Sequence, residues 1–137
     1  MELVIKYNEL TAEQFIELWG SVGGKVPTLE QTKVAMNNTL FRISVWDGDK
    51  VIAMARMHGD MGLDYYIKDV VVRPEYQRKG IGRMMIDELF KFINDNGVKG
   101  TSIFVELAAL PDKIPFYEKF GFDENPARRL KQYYEVM

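Results

Sequence analysis

The chain has 137 residues, of which 47% are hydrophobic and 28% charged, and its formal net charge is -2 at pH 7. It contains no cysteine and a single histidine, His58, which excludes disulfides, thiol catalysis and metal sites built from cysteine or from several histidines. The near-neutral charge gives no reason to expect a nucleic-acid partner, and the length predicts one domain, 1–137.

The N-terminus is not expected to be a signal peptide. Residues 1–7 lack the basic region and apolar core of a signal peptide. No apolar run in the chain approaches the roughly 20 residues that cross a bilayer. We therefore expect a cytoplasmic protein with no membrane partner.

The first predicted elements are a short strand at residues 4–7 and two helices. Thr11 is followed three residues later by Gln14, and Thr28 by Gln31. Both pairs are capping boxes, in which each side chain satisfies a free backbone amide at a helix start.

Three predicted strands follow, at residues 40–46, 51–57 and 65–72. The first two are joined by the turn sequence Asp47-Gly48-Asp49, which favours a hairpin. The third contains Val70-Val71-Val72, and such a continuous apolar run indicates a central strand that is buried on both faces.

The second half alternates helices and strands. Apolar residues at helical spacing predict an amphipathic helix over residues 81–94. A strand at 102–107, a short helix at 114–120 and a last strand at 132–137 follow. This order of elements predicts an α/β domain with a mixed sheet.

The loop between the valine strand and the long helix predicts a phosphate-binding site. It combines Arg78, Lys79 and Arg83 with Gly80 and Gly82. Backbone amides at a helix start bind anions, and glycine allows a phosphate to approach the main chain. A purely structural interpretation, in which the two glycines only turn the chain into the helix, stays open.

Two familiar phosphate loops do not fit this segment. The Walker loop needs Lys-Ser or Lys-Thr at its end, whereas Gly82 is followed by Arg83-Met84. The dinucleotide fingerprint needs a third glycine at the position of Met85.

Two motifs in the chain do resemble a known family. Gln77-x-x-Gly80-x-Gly82, behind the valine strand, is similar to the acetyl-CoA signature of the GNAT superfamily of N-acetyltransferases. Residues 116–122, Phe-Tyr-Glu-Lys-Phe-Gly-Phe, resemble the element that closes the cofactor site in that family. The resemblance implies the GNAT fold, with a mixed sheet of about six to seven strands and four helices, and acetyl-CoA as co-substrate.

The resemblance also implies which residues hold acetyl-CoA. The backbone of the valine strand would pair with the pantetheine arm, and the amides of residues 77–82 would hold the pyrophosphate with help from basic side chains. The expected cofactor-binding residues are Val70, Val71, Val72, Gln77, Arg78, Lys79, Gly80, Ile81, Gly82, Arg83, Phe116 and Lys119.

Two catalytic residues are expected on the same basis. Tyr117 matches the family tyrosine near the thioester sulfur, and its phenol could protonate the departing thiolate; the alternative is a packing aromatic. An alkylammonium must lose a proton before it attacks, and Glu106 or Asp69 could accept that proton. Glu106 could equally lie on a solvated face, and His58 is interpreted as structural rather than as the base.

The expected acceptor is a small-molecule primary amine, and the expected substrate-binding residues are Trp19, Tyr65, Tyr66 and Asp69. The alternatives are a noncatalytic acyl-CoA-binding or sensing module and a protein lysine or N-terminal acetyltransferase. A third alternative is a longer acyl donor than acetyl-CoA, whose extra carboxylate would meet Arg56 or Lys68. We also expect a homodimer paired through the last strand, and no metal.

Overall fold

The computed structural model of the chain describes residues 2–124 and 130–137. Its strands are β1 (Leu3–Tyr7), β2 (Phe41–Asp47), β3 (Lys50–Gly59), β4 (Asp64–Val72) and β5 (Phe104–Leu107). Its helices are α1 (Ala12–Ser21), α2 (Leu29–Asn37), α3 (Ile81–Asn96) and α4 (Ile114–Glu118), and single 3-10 turns lie at Pro74–Tyr76 and Pro111–Lys113.

The strands form one mixed sheet in the order β1-β2-β3-β4-β5. The first three pairings are antiparallel and the last, β4 with β5, is parallel. A parallel pair needs a long crossover, and α3 supplies it. The predicted α/β fold with a mixed sheet and four helices is confirmed, although the described sheet has five strands rather than six to seven.

Helices cover both faces of the sheet. One face packs against α3, through the buried residues Ile81, Met85, Ile86, Leu89 and Ile93 of that helix. The other face packs against α1 and α2, through Phe15, Leu18 and Met36 among others. Each buried face follows from apolar residues at helical spacing, as the sequence predicts for α3.

The two predicted capping boxes are confirmed. The Thr11 hydroxyl accepts from the Gln14 amide at 3.2 Å, and the Gln14 side chain accepts from the Thr11 amide at 3.0 Å. Thr28 and Gln31 make the equivalent pair at the start of α2. The two helices that cover one face of the sheet therefore begin where the sequence places them.

The predicted last strand, 132–137, is wrong. Residues 130–137 adopt neither helix nor strand. Their large apolar side chains are at least 69% exposed; they are Leu130, Tyr133, Tyr134, Val136 and Met137. A strand exists only where its backbone pairs with a neighbour, and among the described residues this segment has no such partner in the sheet.

A β-bulge interrupts the pairing of β3 with β4. Met54 pairs with Val71 and Arg56 with Lys68, so the single residue Ala55 lies across from two residues of β4, 69 and 70. At the bulge Asp69 has a φ of 54°, in the left-handed region. One extra residue on one strand is what defines a bulge.

The bulge reverses which residues of β4 face which helices. Before it, Tyr65 and Ile67 lie in the core beneath α3. After it, Val70 and Val72 pack against that same core, and Val71 lies beneath α1 and α2. Regular alternation would place odd-numbered residues on one face throughout, so the phase is shifted by one residue at Asp69.

Among the helices of the described ranges, none is both long and apolar enough to cross a membrane.

Candidate active site

The N-terminus of α3 is open to a ligand. Gly80 occupies the N-cap position with a φ of 81°, no side chain caps the helix, and the first turn carries no acidic residue. The amides of Ile81, Gly82 and Arg83 precede the first intrahelical bond, because the Met84 amide is the one that donates to Gly80. These free amides and the helix dipole favour an anion.

Gln77 contributes differently from the expectation. Its backbone amide donates to the Pro74 carbonyl at 3.3 Å, and its side-chain amide donates to the Val72 carbonyl at 2.9 Å. Its backbone N–H is thus occupied within the chain, and the free amides begin after it. Gln77 instead ties the loop to the end of β4.

Arg78 and Gly80 both have left-handed backbones, with φ of 64° and 81°. Alternating conformations of this kind turn successive amides toward one point and create an anion-binding concavity. The side chains of Arg78, Lys79 and Arg83 are exposed around it. The loop is therefore positively charged, as predicted.

Gly82 brings α4 close to α3. A Cβ atom at this position would lie 3.1 Å from the Cζ atom of Phe116, which is tighter than ordinary van der Waals contact. The guanidinium of Arg83 also lies 4.8 Å from the ring centroid of Phe120. The second sequence motif thus packs directly on the first turn of α3, and Lys119 of that motif is exposed.

β4 has a free edge beside this loop. It pairs with β5 only from Asp64 to Ile67, opposite Phe104 to Leu107. In the described part of the chain, no strand pairs with the β5 side of β4 beyond Ile67. The backbone groups of residues 68–72 that face away from β3 can therefore accept an extended ligand as an added strand. A free edge leading to an amide cradle fits the arm and pyrophosphate of acetyl-CoA.

Tyr117 lies in α4 among aromatic rings. Its ring makes edge contacts with Phe116, at a centroid distance of 5.0 Å, and with Phe122, at 6.1 Å. Burial raises the pKa of the Tyr117 phenol above its ordinary value. The hydroxyl is consequently protonated at neutral pH and can donate a hydrogen bond or a proton.

The face of the sheet opposite α3 carries a row of polar side chains. His58 pairs across β3 and β4 with Tyr66, and Tyr66 pairs across β4 and β5 with Glu106. The neighbouring residues Tyr65 and Ile67 point into the core beneath α3. The row lies one register position before the strands separate, so it borders the free edge of β4.

Asp64 shares this face with Glu106. One carboxylate oxygen of Asp64, Oδ1, is buried without a hydrogen-bond donor among the described residues. The hydrogen bond that Glu106 makes with Asp64, and the negative charge of Asp64, raise the pKa of Glu106. Two carboxylates can share a hydrogen bond only when a proton lies between them, so Glu106 holds a proton more tightly than an isolated carboxylate.

His58 is partly exposed at the other end of the row. Burial, together with the positive charges of Arg56 and Lys68, lowers the pKa of His58. The imidazole is therefore neutral at physiological pH.

The structure separates the other residues expected at the acceptor site. Tyr65 is fully buried on the α3 face, and its hydroxyl lies 3.8 Å from the sulfur of Met61. The Trp19 indole donates to the Lys25 carbonyl at 3.1 Å and fills the space above Gly24. Tyr66 and Glu106 are adjacent, whereas Tyr65 points away from both.

Asp69 is held by a residue whose contacts the sequence did not predict. The Nε atom of Arg56 donates to Asp69 Oδ2 at 2.8 Å, and its Nη1 atom donates to the hydroxyl of Thr39 at 2.9 Å. Arg56 and Thr39 are each 8% exposed. The signal in the sequence is an arginine inside the apolar predicted strand 51–57, where a buried charge requires a partner.

Comparisons with known proteins agree with this architecture. The profile of the acetyltransferase (GNAT) family matches residues 5–122. An uncharacterized N-acetyltransferase of Pyropia yezoensis is 31% identical over 114 residues, which are 80% of this chain and 63% of that protein. One of Prochlorococcus marinus is 29% identical over 114 residues, 80% of this chain and 61% of that protein. The chain thus spans about three-fifths of the length of these relatives.

Two solved structures share the fold over almost the whole chain. A protein of unknown function from meticillin-resistant Staphylococcus aureus, described as a probable acetyltransferase, is 27% identical with a TM-score of 0.86, covering 98% of this chain and 100% of that one. A GNAT family acetyltransferase from Streptococcus pneumoniae is 24% identical with a TM-score of 0.81 over the same shares, a likeness of fold alone.

Proposed function

Because the chain belongs to the GNAT family of acetyltransferases, we propose that it transfers the acetyl group of acetyl-CoA to a primary amine of a small molecule. The observation that carries the proposal is the uncapped N-terminus of α3 beside the free edge of β4. When bound, acetyl-CoA supplies an activated thioester carbonyl. The tasks left to the protein are to hold this co-substrate, to position the amine, and to move two protons.

The residues that hold acetyl-CoA come from three elements. The backbone of Val70, Val71 and Val72 receives the arm along the free edge of β4. The amides of residues 78–83 receive the pyrophosphate, with the exposed cations of Arg78, Lys79 and Arg83 around them. Phe116 and Lys119 approach from α4. Both halves of this cradle use main-chain groups.

Tyr117 acts as the general acid in this proposal. Its raised pKa keeps the phenol protonated at neutral pH, and the proton goes from its oxygen to the departing thiolate sulfur. Replacing it with phenylalanine removes the proton and leaves the aromatic contacts in place. We expect Tyr117→Phe to lower kcat by about a hundredfold while the Kd for acetyl-CoA stays within about twofold; an unchanged kcat would make Tyr117 a packing residue only.

Glu106 acts as the general base, with Asp64 as its neighbour. An alkylammonium has a pKa of about 10, so it is protonated near pH 7 and cannot attack. A carboxylate whose pKa is raised accepts a proton more readily than an ordinary one. The position of Glu106, one register position before β4 and β5 separate, supports this role.

The acceptor amine lies on the face opposite α3, in contact with Tyr66 and the Asp64–Glu106 pair. The aromatic ring and the negative charge favour a cationic amine with an apolar or aromatic body. Trp19, which belongs to α1, and Asp69, which lies in β4 beneath the helices, border the same face. The small-molecule acceptor is proposed over a protein lysine or N-terminus.

We also propose a homodimer. Residues 130–137 are exposed along an apolar, β-prone stretch, and β5 is the last strand in the described sheet. Pairing of this segment with β5 of a second copy would bury its apolar side chains and supply hydrogen-bond partners for the outer edge of β5. A cytoplasmic location stays a prediction from composition.

The experiment that tests the enzymatic proposal measures thiol release. Purified protein, acetyl-CoA and a panel of polyamines, arylalkylamines, amino acids, aminosugars and lysine peptides are combined, and acetyl-CoA binding is measured in parallel by calorimetry. We expect amine-dependent release with at least one small amine. Binding without release for any amine would indicate a sensing module, release with peptides alone a protein acetyltransferase, and no binding would contradict the proposal altogether.

A further inference from the structure

A single buried guanidinium joins three parts of the fold. Arg56 donates to Asp69 at the β4 bulge and to Thr39 directly after α2. Its Cζ atom lies 5.4 Å from the ring centroid of Phe15 in α1. The Thr39 hydroxyl in turn donates to the Ala35 carbonyl in α2, at 2.7 Å. The Arg56 guanidinium therefore links α1 and α2 to β4, the strand that carries the free edge.

The bulge at Asp69 needs such an anchor. A residue other than glycine is strained in the left-handed region, although aspartate tolerates this region better than most. The side chains of Arg56 and Asp69 are only 10% and 13% exposed. Each charge is thus paired in a place where an unpaired one would be costly, and the pair holds the bulge in its present form.

The bulge determines where β4 offers its backbone. Pairing with β5 ends at Ile67, and the reversed phase begins at Asp69. The next residues, Val70 to Val72, keep their side chains in the two cores and their backbone along the free edge. If the bulge relaxed, these residues would rotate and their backbone groups would no longer face the ligand.

We propose that Arg56 and Asp69 are positioning residues, which fix the β4 bulge so that the backbone of residues 70–72 is preorganised for acetyl-CoA. Asp69 then acts through its bond to Arg56 and not through contact with the amine. The inference rests on the proposed function only for the identity of the ligand. It differs from the sequence-based expectation, which placed Asp69 in direct contact with substrate or as the base.

The test compares two replacements of Asp69. Asparagine keeps an oxygen for Arg56 and tolerates the left-handed region, whereas alanine does neither. We expect Asp69→Ala to raise the Kd for acetyl-CoA about tenfold and Asp69→Asn to raise it by no more than about threefold. Arg56→Ala should match Asp69→Ala, and the double variant should be no weaker than either, because both act through one bulge.

A matched control removes an exposed ion pair of similar length. Lys91 and Asp95 lie 2.7 Å apart on α3, with side chains 69% and 58% exposed. Asp95→Ala should leave the Kd for acetyl-CoA unchanged. A direct role in chemistry predicts the opposite pattern for Asp69: asparagine and alanine would lower kcat equally, with an unaltered Kd for acetyl-CoA, and this result would overturn the inference.

A second measurement needs no ligand and separates the two proposals. Hydrogen exchange at the amide of Val71, which pairs with Met54 of β3, should be at least about tenfold faster in Asp69→Ala than in Asp69→Asn, because a relaxed bulge opens this part of the strand. Equal exchange in the two variants would contradict the positioning role. Failure of the unaltered protein to bind acetyl-CoA would contradict the proposed function and leave the exchange result to decide the inference.

Discussion

Gly80 and Gly82 lie in the proposed phosphate loop for different physical reasons. Gly80 has a φ of 81°, and a Cβ atom there would meet nothing within 4 Å. Gly82 lies in the first turn of α3, where a Cβ atom would meet Phe116 at 3.1 Å. The first glycine is required by backbone conformation and the second by the approach of another helix.

Replacing Gly80 with alanine should therefore strain the backbone without any clash. We expect Gly80→Ala to lower the free energy of unfolding by roughly 1–2 kcal/mol and to weaken acetyl-CoA binding, as calorimetry and urea denaturation would measure. Gly100 is the matched control, because its φ is 80° and its surroundings are equally open. Gly100→Ala should cost the same stability with no loss of binding; an equal loss of binding in both would contradict the loop assignment.

The Asp64–Glu106 pair predicts a pH dependence. Because Asp64 raises the pKa of Glu106, turnover that needs the deprotonated base should fall as pH drops through this raised pKa. Asp64→Asn removes the negative charge, so the acidic limb of the kcat profile should move to lower pH. An unmoved limb would exclude Glu106 as the titrating base.

The same pair has a predictable influence on stability. The folded state binds the proton more tightly than the unfolded chain, so the contribution is complete below the ordinary carboxyl pKa and is lost as pH rises through the raised value. Urea midpoints measured across that range should show this loss in the unaltered protein and a smaller one in Asp64→Asn.

At the scale of elements, α3 and α4 meet at Gly82 and Phe116. Gly82→Ala should gain helix propensity, by roughly 1 kcal/mol, yet push the Phe116 ring and shift α4 with Tyr117. We expect a lower kcat, measured by thiol release, and its partial recovery in Gly82→Ala with Phe116→Leu, because leucine is shorter than the phenyl ring. No recovery would place the fault in the phosphate cradle rather than in α4.

The elements themselves were largely predictable, and their interactions were less so. Capping boxes at Thr11 and Thr28 are local signals, and local physics determines them. The bulge at Asp69 is not a local feature, because it is defined by the pairing of β4 with β3. The sequence of residues 65–72 alone does not distinguish a bulged strand from a regular one. Tyr65 and Tyr66 precede the bulge, and both were expected at the acceptor site, although strand alternation alone places neighbouring residues on opposite faces, as the structure does.

At the scale of the whole molecule, the C-terminal segment illustrates the same limit. The β-prone residues 132–137 predict a strand, but whether they become one depends on an edge that pairs with them. The exposed Tyr133 and Val136 are consistent with an edge supplied by a second copy.

Removal of residues 130–137 tests this assembly. We expect the full chain to have the mass of two protomers in light scattering after gel filtration and the truncated chain to have the mass of one, because the apolar contact is gone. Lys131→Ala serves as a control for altered charge in the same segment. A full chain with the mass of one protomer would contradict the dimer.

The bulge in β4 also constrains how this strand can change in descent. One extra residue at the bulge reverses which β4 side chains point to each face of the sheet. Loss of one residue near position 69 would therefore turn Val70 and Val72 away from the core that they now fill. A compensating insertion would have to occur within the same few residues. Relatives that keep this core should therefore vary less in the number of β4 residues than in their identity.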